Sequence, residues 1–404
     1  MQMSNVREPQ LDHDEARGSG GPPSWARWNR GFGRRYTVGA EEELILLAPD
    51  LSLAQSSDGV LPRLSRDLRA RTFPETHASV IELATEVHPD AAGAAAELAA
   101  LRARLSRELS ALGLRAACAG TYPLAGAGRI EVSGTARYGH VAESMRMLAR
   151  RQPTMALHVH VGVPDPEDAI RLLNGLRDIV PVLLALSANS PFCEGRDTGF
   201  ASARTVIFGA FPRTGTARRF ASYGDYVSSV QPLIASGALP DPSFLWWDLR
   251  LQPRLGTVEV RVMDAQSTVA DSLPLIALIQ SFARLVLESG PPHSRLSQEV
   301  LGENRFLAAR DGVDARLIDP VKQQLMPVRT LAEALVNRCQ PYAAALGCTR
   351  ELDQIERLTA TNGADRQRVQ AANSGLLGVV STLTDCFAEN ANDREEPAGP
   401  RLSD

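Results

Sequence analysis

The segment that most constrains the fold of this chain is TMALHVHVGV, residues 154–163, in which apolar residues occupy every second position. Because successive side chains of a β-strand point to opposite faces, this alternation predicts a strand with one wholly apolar face. The other face presents two imidazoles, His158 and His160, among small residues. The pair is compatible with a ligand-binding site and equally with a polar surface strand.

A second strand is predicted for YTVGAEEELILL, residues 36–47, which contains three consecutive acids. Strand alternation puts Glu41 and Glu43 on one face and Glu42 on the opposite face. Adjacent carboxylates repel one another and are poor strand formers, so this run is easier to explain if a cation neutralises it. The alternative is a strand end that reaches solvent, but the apolar residues 44–47 that follow favour continued burial.

Two more predicted strands carry charged residues among apolar ones. In GTVEVRVMD, residues 256–264, Glu259, Arg261 and Met263 should share the face opposite the valines. A cross-strand salt bridge on a solvated face is the alternative, and for this strand alone it is the better explanation. In ASVIELATEV, residues 78–87, Glu82 is flanked by apolar residues, which is weak evidence by itself.

The four strands together indicate a metal and phosphate site. Carboxylates with an occasional imidazole suit Mg²⁺ or Mn²⁺. An arginine among them suits a transferring phosphoryl group. The sequence contains no phosphate-binding GxxxxGK[ST] loop, no dinucleotide fingerprint and no kinase signature. We therefore expect nucleotide chemistry in which a metal and arginines on a sheet hold the phosphates.

Composition narrows the class of protein. Hydrophobic residues make up 44% of the 404 residues and charged residues 22%, with a net charge of −4, which is ordinary for a soluble enzyme and does not suggest a nucleic-acid partner. No uninterrupted apolar run reaches the length of a membrane span, so no membrane partner is expected. The five scattered cysteines form no CxxC pair, which argues against zinc or a disulfide framework and favours a cytoplasmic location.

The chain is predicted to be one catalytic domain, residues 35–388, between two disordered ends. Residues 1–34 and 389–404 are rich in Gly, Pro and charged residues and lack periodicity. Strand and helix patterns alternate through the first two thirds of the chain. Residues 329–386 are almost entirely helical in pattern, so the fold class expected is α+β with a helical C-terminal part.

Six motifs occur in the order found in one protein family. They are VGAEEEL, VIELAT, LHVHVGV, LSANSPFCEGRDTGFASAR, WWDLR and TVEVRVMDAQ, and ENRFLAARDGVDARLID also fits. Over about residues 36–319 the chain resembles the glutamate–cysteine ligase family 2, the bacterial carboxylate–amine ligases. The resemblance implies a catalytic domain similar to that of glutamine synthetase, with a curved, largely antiparallel sheet backed by helices.

The resemblance also implies roles for individual residues. The metal ligands would be Glu41, Glu43, Glu82, His158 and Glu259. The catalytic residues beside the ATP phosphates would be His160 and Arg261. Substrate carboxylate or phosphate would be bound by Arg196, Arg204 and Arg250, although a surface role is as plausible for each of these alone.

The activity implied is an ATP- and Mg²⁺-dependent ligase that joins glutamate, or another acid, to cysteine, or another amine, through an acyl-phosphate. The family suggests a homodimer or larger homo-oligomer. Cys193 replaces the more usual aromatic residue and Leu251 the more usual proline, and both are expected near the substrate side of the site. Two other functions stay open at this point: a phosphotransferase like the guanidino kinases, and a nucleotide-binding protein without catalysis.

Overall fold

The structure is a computed structural model, and it describes residues 21–31, 34–125, 130–290 and 296–389. The predicted disordered arm is wrong for residues 21–31, which are packed on the domain. Trp25 is buried and donates a hydrogen bond through Nε1 to Gln231, and the backbone carbonyl of Ala26 accepts one from Tyr223. An indole buried against a distant helix is a tertiary contact, which local composition does not reveal. Residues 1–20, 32–33 and 390–404 of the predicted arms lie outside the described residues.

One antiparallel sheet dominates the fold, with strand order β2-β3-β1-β5-β9-β8 and β4 paired to β1. Two short hairpins, β6–β7 and β10–β11, lie apart from it. The strands are β1 (Val38–Leu47), β2 (Thr72–Pro74), β3 (Val80–Ala84), β4 (Arg115–Ala117), β5 (Ala156–Gly162), β6 (Phe192–Cys193), β7 (Arg196–Asp197), β8 (Leu249–Gln252), β9 (Thr257–Asp264), β10 (Arg316–Asp319) and β11 (Gln324–Pro327).

Helices cover one face of this sheet and form the C-terminal part of the chain. They are α1 (Ser57–Val60), α2 (Arg66–Arg69), α3 (Ala91–Ala111), α4 (Ala136–Met145), α5 (Pro166–Leu176), α6 (Val180–Ser187), α7 (Ala203–Phe208), α8 (Tyr223–Ala235), α9 (Val269–Ser289), α10 (Gln298–Asp311), α11 (Val328–Leu346), α12 (Thr349–Asp353), α13 (Ile355–Ala360) and α14 (Gly363–Glu389). Short 3-10 turns occupy Ser24–Ala26, Leu61–Arg63, Arg146–Arg150, Arg177–Ile179, Pro242–Phe244 and Gly312–Asp314.

Helices α3 and α9, each of 21 residues, begin where a side chain accepts a hydrogen bond from the first turn. The Asp90 carboxylate caps α3 by accepting from the backbone N–H of Gly93, and the Thr268 hydroxyl caps α9 by accepting from that of Asp271. Helix α9 is long and apolar enough to span a membrane by composition, in contrast to the expectation from sequence. Since 83% of its apolar window is buried inside the protein, it is the central helix of a core.

Among the described residues, two large hydrophobic cores lie behind the sheet. The larger joins α9, α5 and α6 to the apolar faces of β5 and β9, which include Val159, Val161, Val258 and Val260. The smaller packs α3 and part of α14 on the second half of β1. The alternation in β5 therefore acts as predicted, since its apolar side chains enter the larger core and its histidines lie on the other face. In β1, Glu41 and Glu43 lie on the face of the histidines, and Glu42 lies on the opposite face, as predicted.

Strand β9 departs from the predicted alternation. Its register with β5 shifts between Leu157 and Val159. Two residues of β9, Arg261 and Val262, lie there opposite a single residue of β5, His158. Beyond this irregularity Met263 pairs with Leu157 and lies in the core, not on the face of Glu259 as predicted. The polar position at this end of β9 is taken by Asp264, opposite Ala156.

Candidate active site

The pairing register brings the predicted acids and histidines together on the open face of the sheet. Glu41 pairs with His158 across β1 and β5, and Glu43 pairs with Glu82 across β1 and β3. Glu259 of β9 lies opposite both His160 of β5 and Arg250 of β8. Because directly opposite side chains in a sheet lie about 5 Å apart, these registers produce one continuous polar surface across five strands.

His158 lies at the centre of this surface, with carboxylates around its ring. Its Nδ1 is 3.5 Å from an oxygen of Glu41, 3.8 Å from Glu259 and 4.0 Å from Glu82. Its Nε2 is 3.8 Å from Glu43. The imidazole is buried and neither nitrogen has a hydrogen-bond partner among the described residues.

The two imidazoles have opposite electrostatic environments. Burial, and after it the charge of Arg261, lowers the pKa of His158 to about 4. Burial also disfavours the cationic form of His160, but the carboxylates of Glu41 and Glu259 outweigh it and raise the pKa. A neutral imidazole can bind a metal, whereas a cationic one can only neutralise negative charge. The two histidines of β5 therefore differ in the charge state that their surroundings favour.

The carboxylates also differ from one another. Burial, followed by the charge of Glu75, raises the pKa of Glu43 to about 8. Burial and three neighbouring acids, Glu41, Glu75 and Glu43, raise the pKa of Glu82 well above its ordinary value. In Glu41 the effect of burial is outweighed by the charge of His160, so its pKa is lowered. Several acids crowded in a buried site cannot all ionise without a compensating cation.

Glu259 is neutralised by the protein itself. Arg250 donates to both of its oxygens, at 2.8 and 3.0 Å, and Arg261 and Gln252 donate as well. Burial would raise the pKa of Glu259, but the charges of Arg250 and Arg261 hold it well below its ordinary value. The Nε of Arg261 has no partner among the described residues, so this arginine still has a donor to offer.

Arg204 approaches the same surface from α7. Its terminal nitrogens donate to the backbone carbonyls of Val262 and Arg261, both at 3.2 Å, and the Asp264 carboxylate lies 3.9 Å away. Asp264 in turn accepts hydrogen bonds from Ser190 and Ser202. The Nε of Arg204 also has no partner among the described residues. The predicted motif 186–204 therefore contributes a buried arginine held in place by Asp264.

A pocket of about 740 Å³ lies over this surface. Its floor is the polar face of the sheet, including Glu41, Glu43, Glu82, His158 and His160. Aromatic rings contribute to its walls: Trp25, Phe73, Tyr138, Phe208, Phe211 and Trp246. The pocket combines a charged floor with partly aromatic walls, a combination typical of sites for polar small molecules.

The residues present suit a divalent cation. Among the described residues, three groups place their ligand atoms within 4.8 Å of one another: Glu41–Glu82–His158, Glu41–His160–Glu259 and Glu43–Glu75–Glu82. Carboxylate oxygens with one neutral imidazole are ligands typical of Mg²⁺ or Mn²⁺. The unpartnered nitrogens of the buried His158 are those that a metal or its bound water would satisfy.

The acidic floor contains a functional-type residue that was missed from sequence. Glu75, which follows β2, joins Glu43 and Glu82 in the third acidic group, and Tyr138 donates a 3.3 Å hydrogen bond to it. Burial raises its pKa. Its only sequence signal is a single acid in FPET before the Glu82 strand, which is too common a pattern to select.

Three residues that were expected beside the substrate do not line the pocket. Arg196 lies on the β6–β7 hairpin, where its side chain is 74% exposed and pairs with Glu194, so it does not line the pocket. Cys193, on the same hairpin, does not line the pocket either. Leu251 is buried in the larger core, because adjacent strand residues alternate and Arg250 occupies the pocket face.

Comparison with known proteins shows which family this sequence resembles over most of its length. The sequence model described as glutamate–cysteine ligase family 2 matches residues 37–378. A Rubrobacter xylanophilus protein, provisionally named glutamate–cysteine ligase 2-3, is 40% identical over 357 residues, covering 87% of this chain and 97% of that protein. A Sorangium cellulosum protein, provisionally named glutamate–cysteine ligase 2, is 36% identical over 357 residues, covering 86% and 95%.

Solved structures share the fold at low sequence identity. Glutamate–cysteine ligase from Francisella tularensis, crystallised in complex with AMP, superposes with a TM-score of 0.66 at 13% identity, covering 91% of each chain. A bifunctional glutathione synthetase from Pasteurella multocida superposes with a TM-score of 0.63 at 14% identity, covering 88% of this chain and 52% of that one. The predicted α+β fold with a largely antiparallel sheet is thereby confirmed. Since the family's sequence model and the relatives both extend over most of its length, the chain belongs to the glutamate–cysteine ligase family 2.

Proposed function

We propose that this carboxylate–amine ligase uses ATP and Mg²⁺ to activate a carboxylate as an acyl-phosphate and then joins it to an amine. Glutamate and cysteine are the substrates that the family name suggests. The observation that carries the proposal is the buried His158 imidazole, surrounded by four carboxylates on the floor of a pocket that also contains Arg204 and Arg261. Such a concentration of like charge is costly unless the site neutralises it with a cation.

The residues that would hold the metal are Glu41, Glu43, Glu82, His158 and Glu259, with Glu75 as an addition from the structure. Bound there, Mg²⁺ would supply positive charge to the phosphates of ATP. Glu259 would bind the metal and also pair with the protein's own donors. Its carboxylate already accepts hydrogen bonds from Arg250, Arg261 and Gln252. These donors orient Glu259 and reduce the rotamer freedom that binding would otherwise remove.

In the proposed reaction, a carboxylate oxygen of the acid attacks the γ-phosphorus of ATP and ADP leaves. The nitrogen of the amine then attacks the acyl carbon, phosphate leaves, and the amine loses a proton. Arg261 and His160 would stabilise the charge on the transferring phosphoryl group, Arg261 through its unpartnered Nε and His160 as the cation favoured by Glu41. The aromatic walls would exclude water, which would otherwise hydrolyse the acyl-phosphate.

Steady-state ADP release from the purified protein tests the proposal. The assay contains ATP and Mg²⁺, with glutamate and cysteine present together, singly or absent, followed by panels of other acids and amines. We expect ADP release to require both an acid and an amine, and the amide product to appear at the same rate. Release that needs no amine would favour the phosphotransferase, and absence of release with every pair would favour a binding protein.

The proposal includes a cytoplasmic location and a homodimer or larger assembly. None of the five cysteines, all within the described residues, forms a disulfide, which is compatible with a reducing compartment. Cell fractionation tests the location, and light scattering of the purified protein tests the assembly.

A further inference from the structure

The pocket arginines of the sheet and of α7 lie close to carboxylates of the protein. Arg250 and Arg261 bind Glu259, and Arg204 lies 3.9 Å from Asp264. Their positive charge is therefore largely balanced before a substrate arrives. An additional anionic group of a substrate would meet a floor rich in acids, which repels it.

Arg137 is different, because it approaches the pocket from α4 and not from the sheet. It lines the pocket and is half-buried, and it makes no ion pair within 4.0 Å among the described residues. Its positive charge acts on Glu75, at the edge of the acidic floor, where it opposes the effect of burial on the pKa of that carboxyl. Arg254, another pocket arginine without an ion pair in the described chain, is exposed to solvent.

The Arg137 side chain is held in a defined position. One terminal nitrogen donates a 2.8 Å hydrogen bond to the Ser243 hydroxyl, and the guanidinium lies 4.5 Å from the centre of the Phe244 ring. Ser243 is itself attached to the floor, because its backbone carbonyl accepts a 2.7 Å hydrogen bond from Arg250. Arg137 thus connects α4 to the 3-10 turn Pro242–Phe244.

These contacts leave most of the guanidinium's hydrogen-bonding capacity free. A guanidinium has five N–H donors in a planar fork, and stacking on a ring occupies its face while leaving its edges available. The matching partner of such an edge is a carboxylate, which accepts two parallel hydrogen bonds. A half-buried, oriented and unpaired arginine in a substrate pocket therefore suits recognition of a carboxylate.

We propose that Arg137 binds the α-carboxylate of an amino-acid substrate, as a specificity residue of the ligase. The proposal rests on the proposed function. In that function one carboxylate is phosphorylated above the acidic floor, and a different group of the amino-acid substrates is available for recognition. The α-carboxylate can belong to the acid that is activated or to the amine that accepts it. Arg137 replaces the exposed Arg196 as the candidate for this task.

The test compares Arg137→Gln, Arg137→Lys and the wild type with acids and their α-amides. One series varies glutamate and its α-amide at saturating cysteine, and the other varies cysteine and cysteinamide at saturating glutamate. Arg150→Gln is the matched control, because Arg150 is an exposed arginine of the next turn and does not line the pocket. Circular dichroism melts verify that every variant is folded.

We expect Arg137→Gln to raise the KM of one substrate about tenfold or more, with a smaller change in kcat and none in the KM for ATP. For that substrate the wild type should prefer the acid to its amide, the Gln variant should lose this preference, and the Lys variant should retain part of it. The series that changes identifies the source of the carboxylate. An unchanged acid-to-amide preference in both series would overturn the proposal, since a structural role alone would affect acid and amide equally.

Calorimetric titration distinguishes this failure from failure of the proposed function. If the wild type releases no ADP with any pair, the proposed function fails, and glutamate, cysteine and their amides are then titrated into protein with Mg²⁺ and a non-hydrolysable ATP analogue. Tighter binding of an acid than of its amide that is lost in Arg137→Gln would support the carboxylate site. Equal binding of acid and amide by the wild type, or no binding, would overturn it.

Discussion

At the scale of single residues, Glu43 connects two parts of the candidate site. Its carboxylate accepts a 2.7 Å hydrogen bond from the backbone N–H of Ala156, and it belongs to an acidic group with Glu75 and Glu82. Replacing it by glutamine keeps the shape but removes the negative charge that a divalent cation requires. We expect Glu43→Gln to lower ligase turnover by at least about 100-fold while the protein stays folded.

The measurement is ADP release at saturating Mg²⁺, with folding verified by circular dichroism. Glu143→Gln is the control, because Glu143 is an exposed acid on α4 that does not line the pocket. Full activity in Glu43→Gln would remove Glu43 from the site.

Burial of the same residue predicts a pH dependence of stability. The pKa of Glu43 is about 8 in the metal-free folded protein, against 4.5 for an ordinary glutamate, mainly because of burial. As pH rises the unfolded chain loses this proton first, so the contribution of Glu43 to stability is fully present below about 4.5 and is lost as pH rises through about 8.

Urea unfolding in EDTA at pH 6 and pH 9 measures the effect. We expect the wild type to lose more free energy of unfolding between these pH values than Glu43→Gln, whose amide does not titrate. Saturating Mg²⁺ should reduce the loss, because a bound cation stabilises the ionised carboxylate. An equal loss in both proteins without metal would contradict the assignment.

At the scale of secondary-structure elements, the two faces of β1 have separate functions. Glu41 and Glu43 face the pocket, whereas Glu42 faces the helices and forms a fully buried pair with Arg102 of α3. Arg102 donates to both oxygens of Glu42, at 2.6 and 2.5 Å, and also to the backbone carbonyls of Gln266 and Ser267 beyond β9. Arg102 therefore connects β1, which carries the candidate metal ligands Glu41 and Glu43, to α3 and to the segment that follows β9.

Breaking this pair should be costly. Arg102→Met leaves a buried carboxylate without its partner, which is expected to destabilise the fold by about 3–5 kcal/mol. In the double variant Glu42→Leu/Arg102→Met both charges are absent, so the loss should be smaller, although the carbonyls of Gln266 and Ser267 still lack a donor. Urea unfolding curves of the three proteins provide the comparison. A double variant less stable than Arg102→Met would contradict the explanation.

At the scale of the whole molecule, burial of the cysteines gives a measure of global unfolding. Burial raises the pKa of the Cys193 thiol to about 11 and that of Cys339 to about 12, and it raises those of Cys118 and Cys348 as well. Because the thiolate is the reactive form, we expect these four thiols to resist iodoacetamide at pH 8 in the native protein and to react after denaturation in urea. Peptide mass mapping identifies the modified cysteines. Rapid native labelling of Cys339 would indicate local opening of α11.

Local periodicity assigned four side chains of the candidate site to one face of their strands, and the family resemblance assigned their roles. The alternation in β1 and β5 correctly assigned Glu41, Glu43, His158 and His160 to the face opposite the cores, because a strand's geometry is set by nearest neighbours in the chain. The motifs of the family then identified Glu82, Glu259 and Arg261 as their companions. Their pairing was not readable from any single strand, since it depends on the register between β3, β1, β5 and β9.

The tertiary structure alone decided the remaining features. Because the register between β9 and β5 is irregular, Met263 lies in the core. Asp264 lies instead on the face of the sheet that was predicted for Met263. Glu75 and Arg137 joined the pocket from segments without a distinctive pattern, while Arg196 was directed away from it by a surface hairpin. Trp25 was recruited to the domain by Gln231, which lies 206 positions away in the chain. The sequence by itself determined the composition of each face, because side-chain direction is local, whereas contacts between distant segments depended on how the elements pack.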